Sequence, residues 1–239
     1  MSAPLSSAVP LLEARAIERR YQRQRVWSDL SFTVHPGELL LVAGANGAGK
    51  STLLRTLAGL ARPTRGSVWI AGGDVYGDVR ARDTVGYLGH ATGLYRDLTA
   101  RENLRFAATM RGLAPGDQEI TAALSEVGLA ERADQRVGRF SRGMAQRLAL
   151  ARVGLHRPRL LLLDEPFTGL DGDGVERLRQ RLAAARRAGT GVLCVTHDPA
   201  EVWELATRVL LLGERRLLAD VPRPDRMVPL GELVLPGAA

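Results

Sequence analysis

The chain has 239 residues, 45% of them hydrophobic and 25% charged, which are ordinary proportions for a globular protein with a substantial core. Its single Cys excludes a disulfide framework, and no apolar run approaches the length that crosses a bilayer as a helix. The formal charge of +7 permits an anionic neighbour, yet Arg and acidic residues interleave over most of the length. Solvated faces therefore account for the charge, and no direct nucleic-acid contact is expected.

In chain order, residues 1–9 are small and polar and read as frayed. No basic region precedes an apolar stretch before Glu13, so no signal peptide is expected. Leu11–Tyr21 and Val26–Val34 read as strands of an antiparallel sheet, followed by a turn at His35-Pro36-Gly37. Leu39–Val42 is an apolar run that reads as a buried strand, and a Leu-rich helix is expected from about Lys50.

Between that strand and helix lies Gly44-Ala45-Asn46-Gly47-Ala48-Gly49-Lys50-Ser51, which fits G-x-x-x-x-G-K-[ST]. Glycines at this spacing let backbone N–H groups turn inward around a phosphate, and the helix start adds its positive dipole end. Lys50 is expected to reach the β- and γ-phosphates, and Ser51, followed by Thr52, to offer its hydroxyl to Mg²⁺. Lys50 is also the only Lys in a chain with 33 Lys plus Arg. An ammonium is a compact point charge that a guanidinium fork does not replace in a tight cradle.

Further on, Gly66–Ile70 and Thr84–Leu88 read as strands, with a turn at Gly72-Gly73. Helices are expected at Ala100–Met110, Asp117–Val127 and Ser141–Leu155, with Pro115-Gly116 breaking the first pair. Ser141 is a good N-cap, and Gly143 would let the helix start approach an anion closely. Leu160–Asp164 is an all-Leu strand that delivers Asp164 and then Glu165 to its C-terminal end, where ligands collect in open α/β sheets. There Asp164 can hold the shell of Mg²⁺, and Glu165 can orient or deprotonate a water. Val175–Arg187 is expected to be a helix, Gly191–Thr196 a buried strand containing Cys194, and Pro199–Ala206 a short helix. His197 follows the strand end that Asp164 also marks. Val209–Leu212 and Arg215–Leu218 read as a hairpin, and the Pro-rich tail from Pro222 as weakly packed at Val228–Leu235. His35 and His156 read as surface or loop residues.

The order of the phosphate loop, the helical insert, Phe140-Ser141-Arg142-Gly143-Met144, Leu-Asp164-Glu165-Pro166, Gly169-Leu170-Asp171 and His197 resembles the ATP-binding cassette ATPases over residues 11–219. The fold class implied is α/β, a P-loop NTPase with a mixed sheet core, an antiparallel β subdomain and an inserted helical subdomain. One domain over 1–239 is expected: a nucleotide-binding core at 11–84 and 157–219, a helical subdomain at 85–156 and a tail at 220–239. The resemblance implies ATP and Mg²⁺ as ligands and a homodimer that sandwiches two ATP molecules. Each ATP would lie between the loop residues Gly44, Asn46, Gly47, Ala48, Gly49, Lys50, Ser51 and Thr52 of one copy and Ser141 and Gly143 of the other. It also implies that Tyr21 stacks on adenine, that Glu165 is the catalytic base, that His197 senses the γ-phosphate, and that Asp171 couples the two sites.

The chain departs from the family pattern in three places: the signature is Phe-Ser-Arg-Gly-Met rather than Leu-Ser-Gly-Gly-Gln, Thr168-Gly169 precedes the coupling residues, and His90 stands where a Gln is usual. His90 in neutral form can still ligate metal. Tyr87-Leu88-Gly89-His90, Leu98–Leu104 and Asp164–Thr168 are similar to the ATP-binding subunit of the haem exporter of c-type cytochrome maturation. That implies integral membrane permease subunits as partners, a docking surface near His90–Asn103, and a peripheral location on the cytoplasmic face of the cell membrane. Drug and polysaccharide exporters share such signatures and form the alternative, with a soluble cassette ATPase acting on nucleic acid as a third reading.

Overall fold

A computed structural model of the protein describes residues 9–229 except Arg23, together with Glu232. Residues 1–8, expected to be frayed, and residues 230, 231 and 233–235 of the stretch expected to pack weakly lie outside the described residues.

An antiparallel sheet takes the N-terminal strands. β1 (Leu12–Tyr21) pairs on one side with β2 (Gln24–Val34) and on the other with β4 (Arg65–Ile70), which pairs with the short β5 (Gly73–Asp74). The second sheet has six strands in the order β10-β9-β3-β8-β7-β6. Its members are β3 (Leu39–Gly44), β6 (Val85–Leu88), β7 (Leu160–Asp164), β8 (Gly191–Val195), β9 (Arg208–Gly213) and β10 (Arg216–Pro222). Five run parallel, and β10 returns antiparallel to β9 through Glu214 and Arg215, both at positive φ.

Both faces of the six-stranded sheet are covered, which is why its central strands read as unbroken apolar runs. On one side Leu40, Val42, Leu162 and Leu193 pack with the antiparallel sheet and with α1 (Lys50–Leu57) through Leu53, Leu54 and Leu57. On the other Leu41, Leu163, Val192 and Cys194 pack with α5 (Arg142–Gly154) and α6 (Gly172–Arg187) through Leu150, Val153, Leu178 and Leu182. Each such side chain, fully buried, contributes about 1.5–3 kcal/mol. A third cluster joins α3 (Ala100–Thr109), α4 (Asp117–Glu126) and α5 through Leu104, Ile120, Leu124 and Leu148. Thr99 and Glu102 form a capping box that starts α3.

The elements differ from the sequence expectations in particular places. Pro199–Ala206 is not an α-helix but two 3₁₀ turns, Pro199–Glu201 and Trp203–Leu205; Pro199 and the cap from Asp198 start a turn that has no room to propagate. A five-residue helix, α2 (Val79–Asp83), is capped by Asp78 and lies where no helix was expected. The helix expected from Val175 starts at Gly172, because Asp171 accepts from Gly174 N at 2.8 Å and caps it. β6 is an edge strand of the six-stranded sheet, so the helical block begins after residue 88 rather than at 85. His156 lies in the turn after α5, within the surface-or-loop expectation, but it is half-buried there, with Nε2 3.1 Å from Val85 O.

Candidate nucleotide site

The parallel strands β3, β7, β8 and β6 end at one edge of the sheet, and their C-terminal ends carry the loop 44–49, Asp164, His197 and His90. This is where open α/β sheets place ligands.

The loop after β3 is shaped by two glycines that no other residue replaces. Gly44 has φ 146°, and a β-carbon there would lie 2.3 Å from Leu212 O. Gly49 has φ 91°, and a β-carbon there would lie 2.5 Å from Val26 Cγ1 and 2.7 Å from Trp27 Cδ1. Trp27 is fully buried, and its indole Nε1 donates to Gly49 O at 3.4 Å. Strand β2 therefore floors the loop, a support the sequence reading missed. Asn46 and Gly47 are exposed, and Ala48 is half-buried. Lys50 Nζ folds back over the loop and donates to Gly44 O at 2.7 Å and Ala45 O at 3.0 Å. Ser51 is exposed in the first turn of α1, with the half-buried Thr52 after it.

Asp164 is buried at the end of β7. Burial pushes its carboxyl above the usual range, against a hydrogen bond from the Ser51 hydroxyl; Glu165 adds to the rise, and His90 and Lys50 oppose it. A buried carboxylate short of positive charge, with a hydroxyl beside it, is a hard-oxygen donor set that suits a small divalent cation. His90 is exposed within electrostatic reach of Asp164. Among the described residues no cluster of three or more His, Cys, Asp or Glu side chains is arranged to hold a metal.

Glu165 follows with φ 53°, a left-handed conformation uncommon outside glycine. The turn aims its carboxylate away from β7 and toward β8, where Oε2 lies 2.7 Å from His197 Nδ1 and accepts from His197 N at 3.2 Å. His197 is exposed, and the hydrogen bond with Glu165 raises its pKa.

On the far side of this strand end sits α5. Ser141 caps it, accepting from Met144 N at 3.2 Å, and is exposed. Gly143 packs against the loop before α6, and a β-carbon there would lie 2.5 Å from Gly169 O. The buried Gln146 donates to Glu165 O at 3.2 Å and Pro166 O at 3.0 Å. The sequence did hold a signal for it: Gln146 is polar on the apolar stripe of Ala149, Leu150 and Val153. Tyr21, at the end of β1, is exposed, and the Arg19 guanidinium lies over its ring at 4.5 Å.

The family model described as ABC transporter matches residues 27–168. The cytochrome c biogenesis ATP-binding export protein CcmA of Bordetella bronchiseptica is 43% identical over 209 residues, covering 87% of this chain and 92% of that protein. The protein of the same name from Xanthomonas campestris pv. campestris is 42% identical over 212 residues, covering 89% and 98%. A solved ATP binding subunit of an ABC transporter, 32% identical, superposes with a TM-score of 0.86 over 93% of this chain and 97% of its own. A dimeric ATP-binding cassette in a post-hydrolysis state, bound to ADP and Pi and 23% identical, shares the fold with a TM-score of 0.81 over 90% and 100%. With its cradle, its strand-end carboxylates and its capped α5 in the expected order, the chain belongs to the ABC transporter family, among the CcmA-type ATP-binding proteins of cytochrome c biogenesis.

Proposed function

We propose that this chain is the ATP-hydrolysing subunit of the haem exporter complex of cytochrome c maturation, acting as a homodimer on separate integral membrane permease subunits. The observation that carries the reading is the meeting of Glu165 and His197 at the strand ends that also bear Lys50, Ser51 and Asp164. The names of the relatives support the export complex and cytochrome c biogenesis. No helix among the described residues is long and apolar enough to cross a membrane, which fits a subunit that acts on separate membrane subunits; the location proposed is the cytoplasmic face.

In this reading the loop 44–49 and Lys50 hold the β- and γ-phosphates of ATP. Ser51 and Asp164, with His90 nearby, would hold Mg²⁺, which supplies positive charge to the phosphate oxygens. Glu165 is the base that orients and deprotonates the attacking water, and His197 keeps that carboxylate aimed while meeting the γ-phosphate. The exposed face of Tyr21 takes the adenine. Ser141 and Gly143 of the second copy close the site from the other side. The groove of Tyr95, Phe106, Met110 and Arg152, next to the loop after His90, is the surface offered to the permease.

The test is Glu165→Gln. It is expected to bind ATP as wild type does and to lose turnover about 10²- to 10⁴-fold, the range a general base supplies. A variant with full turnover would remove Glu165 from the mechanism. Copurification of the tagged chain with its membrane subunits tests the export assignment separately.

A further inference from the structure

We propose that Gln146 is a positioning residue for Glu165, fixing through two carbonyl hydrogen bonds the peptide from which the carboxylate is aimed. The inference rests on the reading of Glu165 as the base.

Gln146 lies five residues after Ser141 on α5, on the stripe that packs toward the six-stranded sheet. A buried primary amide has to find partners for its N–H groups. Here Nε2 donates to Glu165 O at 3.2 Å and to Pro166 O at 3.0 Å. The stretch it holds is poorly self-supporting. Glu165 stands at φ 53°, and a non-glycine residue keeps that conformation only when its surroundings over-determine it. Pro166 has no N–H to give. The remaining ties are Glu165 N to Val195 O at 2.8 Å and Thr168 N to Glu165 O at 3.3 Å. Strand β8 thus fixes the N–H side of Glu165, and Gln146 fixes its carbonyl side. The carboxylate orientation that meets His197 follows from both.

The same helix begins at Ser141 and, through Gly143, packs on Gly169. A displacement of the start of α5 is therefore transmitted to the Glu165 peptide within two helical turns. A substrate-touching role for Gln146 is excluded by its burial and by the direction of its amide toward the two carbonyls.

The test compares turnover and ATP binding of the chain in its membrane complex for Gln146→Met, which keeps the volume and loses the amide. We expect kcat to fall roughly 10- to 100-fold, the effect of misplacing a reacting group. The ATP dissociation constant should stay within about twofold, because Gln146 contributes nothing to ground-state binding. Added to Glu165→Gln, it should lower the residual turnover no further, since both changes act through one carboxylate. Unchanged kcat, a parallel rise in the dissociation constant, or a multiplied loss in the double variant would each overturn the proposal. Should Gln146→Met fail to fold, Gln146→Asn keeps the amide but withdraws it by one methylene, and the same three readings decide. Full turnover in Glu165→Gln overturns the base reading itself. Loss there with full turnover in Gln146→Met overturns only the positioning.

Discussion

One carboxylate oxygen of Glu165 takes two contacts from His197: Oε2 lies 2.7 Å from the ring Nδ1 and 3.2 Å from the backbone N. The ring contact is strongest when the imidazole is charged, which is why Glu165 raises the His197 pKa, first through the hydrogen bond and then through its charge. A histidine with a raised folded pKa lends stability that is complete below its unfolded value and is lost as pH rises through the folded one. The side chain is 69% exposed, so solvent screens the effect on global stability and the titration itself is the sensitive readout. In the nucleotide-free chain, NMR should find the His197 midpoint above 6.5, and Glu165→Gln should return it toward 6.5. A midpoint that does not move in the variant would mean the pair is not formed in solution.

Gly49→Ala should abolish nucleotide binding and destabilise the fold together. The position needs φ 91°, which costs an L-residue about 1–2 kcal/mol. Its methyl would also press on Val26 and Trp27 from 2.5 and 2.7 Å. Trp27 cannot retreat, being fully buried, so the loop must lift instead. Trp27→Phe removes the indole N–H that reaches Gly49 O at 3.4 Å and shrinks a fully buried ring, so it should lower the melting temperature while weakening ATP binding less than about tenfold. Titration with a fluorescent ATP analogue, beside thermal melts, separates the two variants.

The contrast between Lys50 and Trp27 marks how far the sequence could be read. A phosphate cradle needs glycines, a Lys and a hydroxyl within eight consecutive residues, so its chemistry and its local geometry coincide in one stretch. The strands of the six-stranded sheet and the five longer helices were legible for the same reason: period, caps and apolar runs are local properties. Trp27 and Gln146 act on residues 22 and 19–20 positions away, across elements whose packing no local pattern encodes. The left-handed turn at Glu165 was likewise invisible, because glutamate has no intrinsic preference for it and the surrounding bonds impose it. Pro199–Ala206 misled because its apolar spacing fits a helix, while the non-helical backbone at Val202 and the extended backbone at Ala206 leave only single 3₁₀ turns.

His156 gives the fold an acid-labile point. Burial, then the charge of Arg111, lowers its pKa to about 4; the contact with Val85 O and the charge of Asp83 oppose this, and Arg152 adds to it. Its Nδ1 is buried without a hydrogen-bond partner. A histidine held neutral in the fold binds fewer protons than in the unfolded chain, so stability falls as pH drops from 6.5 toward 4. Urea denaturation across that range should show a steeper decline in wild type than in His156→Gln, which cannot take the proton. Parallel declines would assign the acid sensitivity to other groups.

Gly143 separates a demand of the chain itself from a demand of its partner. The family resemblance gives this residue to the nucleotide of the opposite copy, yet within one chain a β-carbon there already lies 2.5 Å from Gly169 O. The struck atom is backbone and cannot rotate away, so Gly143→Ala must push back the loop that leads to Asp171, the cap of α6. Overpacking of this kind costs about 1–3 kcal/mol. Ser141→Ala serves as the comparison: it loses the N-cap bond to Met144, worth about 1 kcal/mol, and leaves Gly169 untouched. In denaturation of the nucleotide-free chain, too dilute to pair, Gly143→Ala should therefore be the less stable of the two. If it instead matches wild type there and fails only when ATP closes the dimer, the opposite nucleotide alone requires the glycine.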